Sequence, residues 1–247
     1  MNWQQPWIIG NWKMNGRRNS TAAFAQAWSA QRLPENVSTG IAAPLPYLLD
    51  LKQAAPALTV GAQDVSRFDK DGAFTGETSA AMLADLGAQF VLLGHSERRQ
   101  YFDENNEALS AKLDNALAAG LIPILCVGET LTQRQAAQEQ AVVAEQLSVL
   151  RGKAMPHIAV AYEPVWAIGT GQVASAEQIA DMHAFIYAEL LSFANKSANI
   201  RTLYGGSVNA QNAQTILTLP NVDGALVGGA SLQADSFAAI VQAAAKQ

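Results

Sequence analysis

Ile122-Pro123-Ile124-Leu125-Cys126-Val127 is an apolar run without polar alternation. A longer Ala-, Gln- and Leu-rich stretch, residues 132–150, separates it from the next such run, Ile158-Ala159-Val160-Ala161. Short unbroken apolar runs suit strands buried on both faces, and the stretch between these two has helical spacing. Residues 122–161 therefore read as strand, helix, strand, the parallel βα unit. The same alternation extends both ways along the chain. Upstream lie Trp7-Ile8-Ile9, Thr39-Gly40-Ile41-Ala42, Leu58-Thr59-Val60 and Phe90-Val91-Leu92-Leu93; downstream lie Thr202-Leu203-Tyr204 and Ala225-Leu226-Val227. Residues 20–31, 105–119 and 176–194 supply further helical stretches, the last opened by a capping box, Ser175-Ala176-Glu177-Gln178. The second, third, seventh and eighth units are short. A chain of 247 residues then holds eight units of roughly 31 residues each. No Gly/Ser-rich linker divides them. The sequence predicts an α/β fold with one domain over residues 1–247, a single closed (βα)8 barrel with a parallel eight-stranded core rather than a doubly wound sheet with two edges.

Composition narrows the function classes. Hydrophobic residues make up 49% of the chain, which excludes a disordered protein. A formal charge of −5 gives phosphates no long-range attraction, so no nucleic-acid partner is expected. No apolar run approaches the roughly 18 residues of a membrane span, so no membrane partner is expected either. Charged residues are 15% of the chain, below the roughly 25% of average soluble domains, and this points to surface buried in an oligomer. The single Cys126 allows no disulfide within one chain and fits a reducing compartment. Met1 to Pro6 carry no cationic targeting segment, and a cytoplasmic location is expected. On that reading the Asn-x-Ser/Thr triplets at Asn19, Asn36 and Asn195 are chance matches.

In a parallel barrel the chemistry belongs to the loops that follow the strands. The first strand runs into Gly10-Asn11-Trp12-Lys13-Met14-Asn15, where Asn11 and Lys13 can point at one anionic ligand while Trp12 and Met14 pack the loop. The fourth runs into Gly94-His95-Ser96-Glu97-Arg98-Arg99. A His opening a short helix tends to stay neutral and donate a hydrogen bond, because a helix N-terminus disfavours the imidazolium. His157 and His183, before a strand and inside a helical pattern, are read as structural. The sixth strand ends in Tyr162-Glu163, and an apolar loop, Pro164-Val165-Trp166-Ala167-Ile168-Gly169-Thr170, follows. Such a loop suits a lid that closes over a ligand and desolvates Glu163. The seventh and eighth end in Gly205-Gly206-Ser207 and Gly228-Gly229-Ala230, glycine pairs whose N–H groups can approach a phosphate closely, each before a possible helix start.

Asn11-x-Lys13, His95-Ser96-Glu97, Tyr162 through Gly171, Tyr204-Gly205-Gly206-Ser207-Val208 and Val227-Gly228-Gly229-Ala230 occur in the order found in the triosephosphate isomerases. From Gly10 to about Leu232 the chain resembles that family, whose fold is the TIM barrel. The resemblance implies a cofactor-free interconversion of dihydroxyacetone phosphate and D-glyceraldehyde 3-phosphate, an aldose–ketose step of glycolysis and gluconeogenesis. It implies Glu163 as base and His95, Lys13 and Asn11 as groups that stabilise an enediolate. It also implies Asn11, Lys13, Gly169, Ser207, Gly228 and Gly229 as substrate contacts. Glu97 and Ser96 would support them, with Glu97 paired to a cation, Lys13 being the nearest. The loop around Phe74-Thr75-Gly76 would insert into a second copy, so a homodimer is implied.

Three other readings stand beside this one. Gly169-Thr170-Gly171-Gln172-Val173-Ala174 matches a dinucleotide fingerprint, with Glu189 downstream, but no strand directly precedes it and Glu189 falls in a helical pattern. An isomerase or aldolase of longer sugar phosphates would share the barrel and the phosphate loops. A non-catalytic relative would be expected to have lost Glu163, His95 or Lys13. No metal is expected, since three scattered His and one Cys offer no ligand spacing.

Overall fold

Eight parallel strands pair in chain order and close on themselves. They are β1 (Trp7–Asn11), β2 (Ser38–Ala42), β3 (Thr59–Ala62), β4 (Phe90–Leu93), β5 (Ile122–Val127), β6 (His157–Tyr162), β7 (Asn199–Tyr204) and β8 (Gly224–Val227), with β8 pairing back to β1. The structure is a computed structural model, and it describes residues 1–153, 155–169, 172–193 and 198–245. The expected single (βα)8 TIM barrel is present.

The helices packed around the strands are α1 (Arg18–Ser29), α2 (Leu45–Ala54), α3 (Ala80–Asp85), α4 (Ser96–Tyr101), α5 (Asn106–Ala118), α6 (Leu131–Gln135), α7 (Glu139–Leu147), α8 (Ala176–Phe193), α9 (Ala213–Leu217) and α10 (Ala234–Ala244). The Ser175 and Gln178 capping box forms in both directions at the start of α8. Residues 132–150 depart from expectation. Instead of one helix they form α6, α7 and a 3-10 turn at Ser148–Leu150, because Ala137 takes a left-handed backbone (φ +53°) that breaks the helical hydrogen bonding. An Ala there gives no sequence signal for a turn, unlike Gly or Asn.

Side chains fill the barrel, with Trp7, Ile9, Phe90, Leu92, Ile124, Cys126 and Leu203 among those turned inward. Phe90 explains a gap in the pattern. Its ring occupies the space where Gly61 lacks a side chain, so that a Cβ on Gly61 would lie 2.4 Å from Phe90 Cε2. Met1 and Trp3 close the end away from the strand C-termini, where the Trp3 ring stacks on His157 at 4.5 Å. His183 is fully buried on α8; its Nδ1–H donates to the Asn221 C=O at 2.9 Å, and burial pushes its pKa down to about 4. Both histidines are structural, as read. Burial likewise pushes the Cys126 thiol up, leaving a small apolar filler. No helix among the described residues is long and apolar enough to cross a membrane.

Candidate functional site

The strand ends converge on one face of the barrel. Lys13 follows β1 with a left-handed backbone (φ +51°), a strained state that costs on the order of 1–3 kcal/mol for a residue with a side chain. Two hydrogen bonds hold it, and a third anchors the side chain that makes one of them. The Lys13 N–H donates to Asn11 Oδ1 at 2.9 Å, and Gln63 Nε2 donates to the C=O groups of Lys13 and Ala42 at 2.9 and 3.0 Å. The Lys13 ammonium lies 2.6 Å from Glu97 Oε1, the pairing expected.

His95 ends the β4 loop and caps α4. Its Nδ1 accepts the Glu97 N–H at 3.3 Å, so in the neutral ring the proton sits on Nε2. That Nε2 faces Glu163 Oε1 at 2.9 Å, and Glu163 Oε2 accepts the Ser96 N–H at 3.0 Å. Both side chains are buried, Glu163 with 2% and His95 with 5% exposure.

The charges here move opposite to the simplest expectation. Burial is the largest influence on Glu163 and pushes its pKa up, but His95, the Ser96 N–H and Lys13 together hold it below the usual carboxylate range. Burial also pulls His95 down, while the charge and hydrogen bond of Glu163, helped by Glu97, leave it above its ordinary value. The pair is thus a mutually stabilised contact.

The loop after Glu163, expected to form a lid, begins with a 3-10 turn at Val165–Ala167. Trp166 Nε1 donates to Glu129 Oε1 at 2.8 Å and the Val165 N–H donates to the Glu129 C=O at 3.1 Å. Glu129 is fully buried, and it also takes the Tyr162 hydroxyl and Arg134. Ser207 Oγ donates to the Ala167 C=O at 2.9 Å, tying the lid to the first glycine pair. Thr170 lies outside the described residues. Between this loop, Glu163 and the glycine pairs is a cavity of about 310 Å³, reached by Lys13, His95, Glu163, Gly169, Ser207 and Gly228. It has the size of a small metabolite, with polar groups arriving from five strand ends.

A carboxylate, an imidazole and an ammonium gathered over two glycine pairs invite comparison with known proteins. The family model of triosephosphate isomerase matches residues 6–244. The chain belongs to the triosephosphate isomerase family. It is 56% identical to the triosephosphate isomerase of Neisseria meningitidis serogroup A, covering 98% of each chain. It is 48% identical to that of Paracidovorax citrulli, over 96% of this chain and 98% of that one, and 42% identical to that of Pseudomonas entomophila, over 98% and 99%.

Asn11, Lys13, His95, Glu163, Gly169, Ser207, Gly228 and Gly229 all border the cavity, and Glu97 and Ser96 bond to its walls. Phe74, Thr75 and Gly76 do not; they lie exposed on the β3–α3 loop, with Gly76 bordering a second cavity of about 400 Å³ that reaches Lys13 and His95 from outside. Gly228-Gly229 leads into a 3-10 turn at Gly229–Leu232, but Gly205-Gly206 opens no helix, since α9 starts only at Ala213. The dinucleotide reading fails on the same ground: Gly169 follows the 3-10 turn rather than a strand, and Glu189 sits within α8, paired to Arg151 at 3.1 Å. Gln63 and Glu129 went unread in the sequence. Gln63 directly follows β3, which runs two residues past the apolar stretch Leu58-Thr59-Val60, and Glu129 stands two residues beyond β5.

Proposed function

We propose that this chain interconverts dihydroxyacetone phosphate and D-glyceraldehyde 3-phosphate by the family's proton transfer, with Glu163 as base. The observation that carries this is the 2.9 Å contact between Glu163 Oε1 and His95 Nε2 at the floor of the lidded cavity. A substrate carbonyl entering the cavity takes the Nε2–H from Glu163, and the freed carboxylate turns to the carbon beside that carbonyl. Losing its partners while lid closure removes water leaves burial as the main influence, so the Glu163 pKa rises as it accepts the proton. Its charge is then gone, the pull that raised His95 disappears, and the ring stays neutral as donor to the enediolate oxygens. The family is itself a standard case of this separation of pKa values and of catalysis under a closing loop.

Lys13 supplies positive charge to the same developing oxygens, and Asn11 fixes the Lys13 main chain. Glu97 and Ser96 orient the ammonium and the base. N–H groups at Gly169, Gly228 and Gly229, with Ser207, receive the phosphate. Residues 164–170 close over it, and excluding water also discourages loss of phosphate from the enediolate. Glu163 then returns the proton to the neighbouring carbon. No cofactor takes part.

The active form is a homodimer. Met14, expected to pack the first loop, is instead 96% exposed, and Tyr101, Phe102, Phe74 and Met82 are further exposed apolar side chains in segments around the second cavity, an apolar surface of the kind a partner covers. In the dimer the loop at Phe74-Thr75-Gly76 enters the partner near its Lys13. The enzyme works in the cytoplasm, without nucleic acid or membrane. A spectrophotometric assay of glyceraldehyde 3-phosphate isomerisation, coupled to glycerol-phosphate dehydrogenase, tests the reading directly. Turnover is expected; its absence from folded protein would leave a phosphate-binding barrel for longer sugar phosphates.

A further inference from the structure

Gln146, half-buried on α7, binds both main-chain groups of one residue at the edge of the site. Its Oε1 accepts the Gly128 N–H at 2.7 Å and its Nε2 donates to the Gly128 C=O at 3.1 Å. A carboxamide matched to a residue in both directions fixes its orientation much as a neighbouring strand would. Gly128 stands where that orientation matters. On one side it packs against the main chain of the base, so closely that a Cβ would lie 1.7 Å from the Glu163 carbonyl oxygen. On the other side it leads into Glu129, which receives the Trp166 and Val165 N–H groups at the foot of the lid. Neither contact involves α7. Without the carboxamide, the Gly128 N–H and C=O are left unpaired in a part-buried position, and the peptide must turn to find other partners, carrying Glu129 with it.

We propose that Gln146 is a positioning residue for the isomerisation: its carboxamide fixes residues 128–129 and through them both the foot of the lid and the backbone of Glu163. This rests on the function proposed above. It differs from simple packing in needing a donor and an acceptor together, and that difference can be measured.

Gln146→Glu separates the two needs. As a carboxylate it still accepts the Gly128 N–H but opposes the C=O; protonated, it donates as the amide did. Its kcat is expected to approach the wild-type value at acid pH and to fall as pH rises through the titration of the new carboxyl. Gln146→Leu is expected to lose roughly ten- to a hundredfold in kcat at every pH, with KM changing less. In full-length protein labelled with 5-fluorotryptophan and without substrate, the Trp166 fluorine resonance of Gln146→Glu should shift with the same midpoint as kcat. That signal does not depend on turnover, so a wild-type protein inactive on triose phosphates would overturn the function while leaving Gln146 testable. Wild-type kcat in Gln146→Glu across the pH range, or a Trp166 resonance that does not titrate, would overturn the positioning role. So would a loss in Gln146→Leu that disappears when activity is scaled to the folded fraction.

Discussion

Glu163 Oε1 lies 2.9 Å from His95 Nε2, and this contact holds each group away from the protonation state that burial alone would give it. On the proposed mechanism, substrate binding separates the base from the electrophile. Glu163→Gln removes the charge and keeps the shape. Its kcat should fall by roughly 10²- to 10⁴-fold, the usual share of a general base, with substrate binding retained. The same variant should lower the His95 pKa, because the largest influence left on it is burial, which disfavours the imidazolium. NMR titration of the three histidines checks this, with His183 set apart by its pKa of about 4. A His95 titration identical in both proteins would mean that the contact does not persist in solution.

Lys13 separates catalysis from stability. Its pair with Glu97 is partly exposed, 27% and 43% by side chain, and such pairs contribute no more than about 1 kcal/mol. Lys13→Ala also keeps a β-carbon at φ +51°, so the strain in the loop is not relieved. Chemical denaturation should therefore find the variant close to wild type. Its kcat/KM should drop at least roughly a hundredfold, as when a charge-stabilising donor is removed. Comparable activity would take Lys13 out of the mechanism.

The barrel was legible in the sequence because a parallel strand buried on both faces leaves an unbroken apolar run, and eight such runs fill the chain. Its edges were less so. The apolar run of β3 stops at Val60 in the sequence, since Gly61 and Ala62 carry no β preference; only the ring of Phe90, the partner of Gly61 on the neighbouring β4, explains why a glycine belongs there. The break at Ala137 is closed locally, by the Gln138 N–H on the Gln133 C=O and the Ala137 N–H on the Arg134 C=O, but an Ala in the left-handed position leaves no signal in the sequence. Glu163, His95 and Lys13 could be picked out because chemistry collects at strand ends. The contact between Glu163 and His95 could not, since it depends on a 2.9 Å distance between loops of different units. Glu129 and Gln146 act through the main chain and the lid, contacts that no spacing encodes.

Removing residues 74–76 should convert the proposed homodimer to a monomer. With Met14, Tyr101 and Phe102 exposed, the single chain presents an apolar surface that a partner would otherwise cover. Sedimentation equilibrium at micromolar concentration should give twice the 26.2 kDa chain mass for wild type and the chain mass for the deletion. The deletion should also lose activity, since the loop at β1 that carries Lys13 borders the same cavity. A wild-type monomer with full turnover would refute the dimer.

Deleting residues 165–168 tests the lid. The barrel should persist, because the base of the lid joins no strand pair and Glu129 keeps Tyr162 and Arg134 after Trp166 is gone. Losing the Trp166 bond to a buried carboxylate should lower stability by about 1.5–3 kcal/mol, with a smaller loss from the Ser207 to Ala167 bond. The chemical consequence is more specific than the loss of rate. Glu163 can still remove the proton, but the enediolate then forms in an open site where its phosphate is free to leave. Incubation with dihydroxyacetone phosphate should release inorganic phosphate in step with the slowed formation of glyceraldehyde 3-phosphate, whereas the wild-type enzyme should release almost none. Isomerisation at the normal rate without phosphate release would leave residues 165–168 as a packed surface loop, and water exclusion would have to come from elsewhere in the cavity.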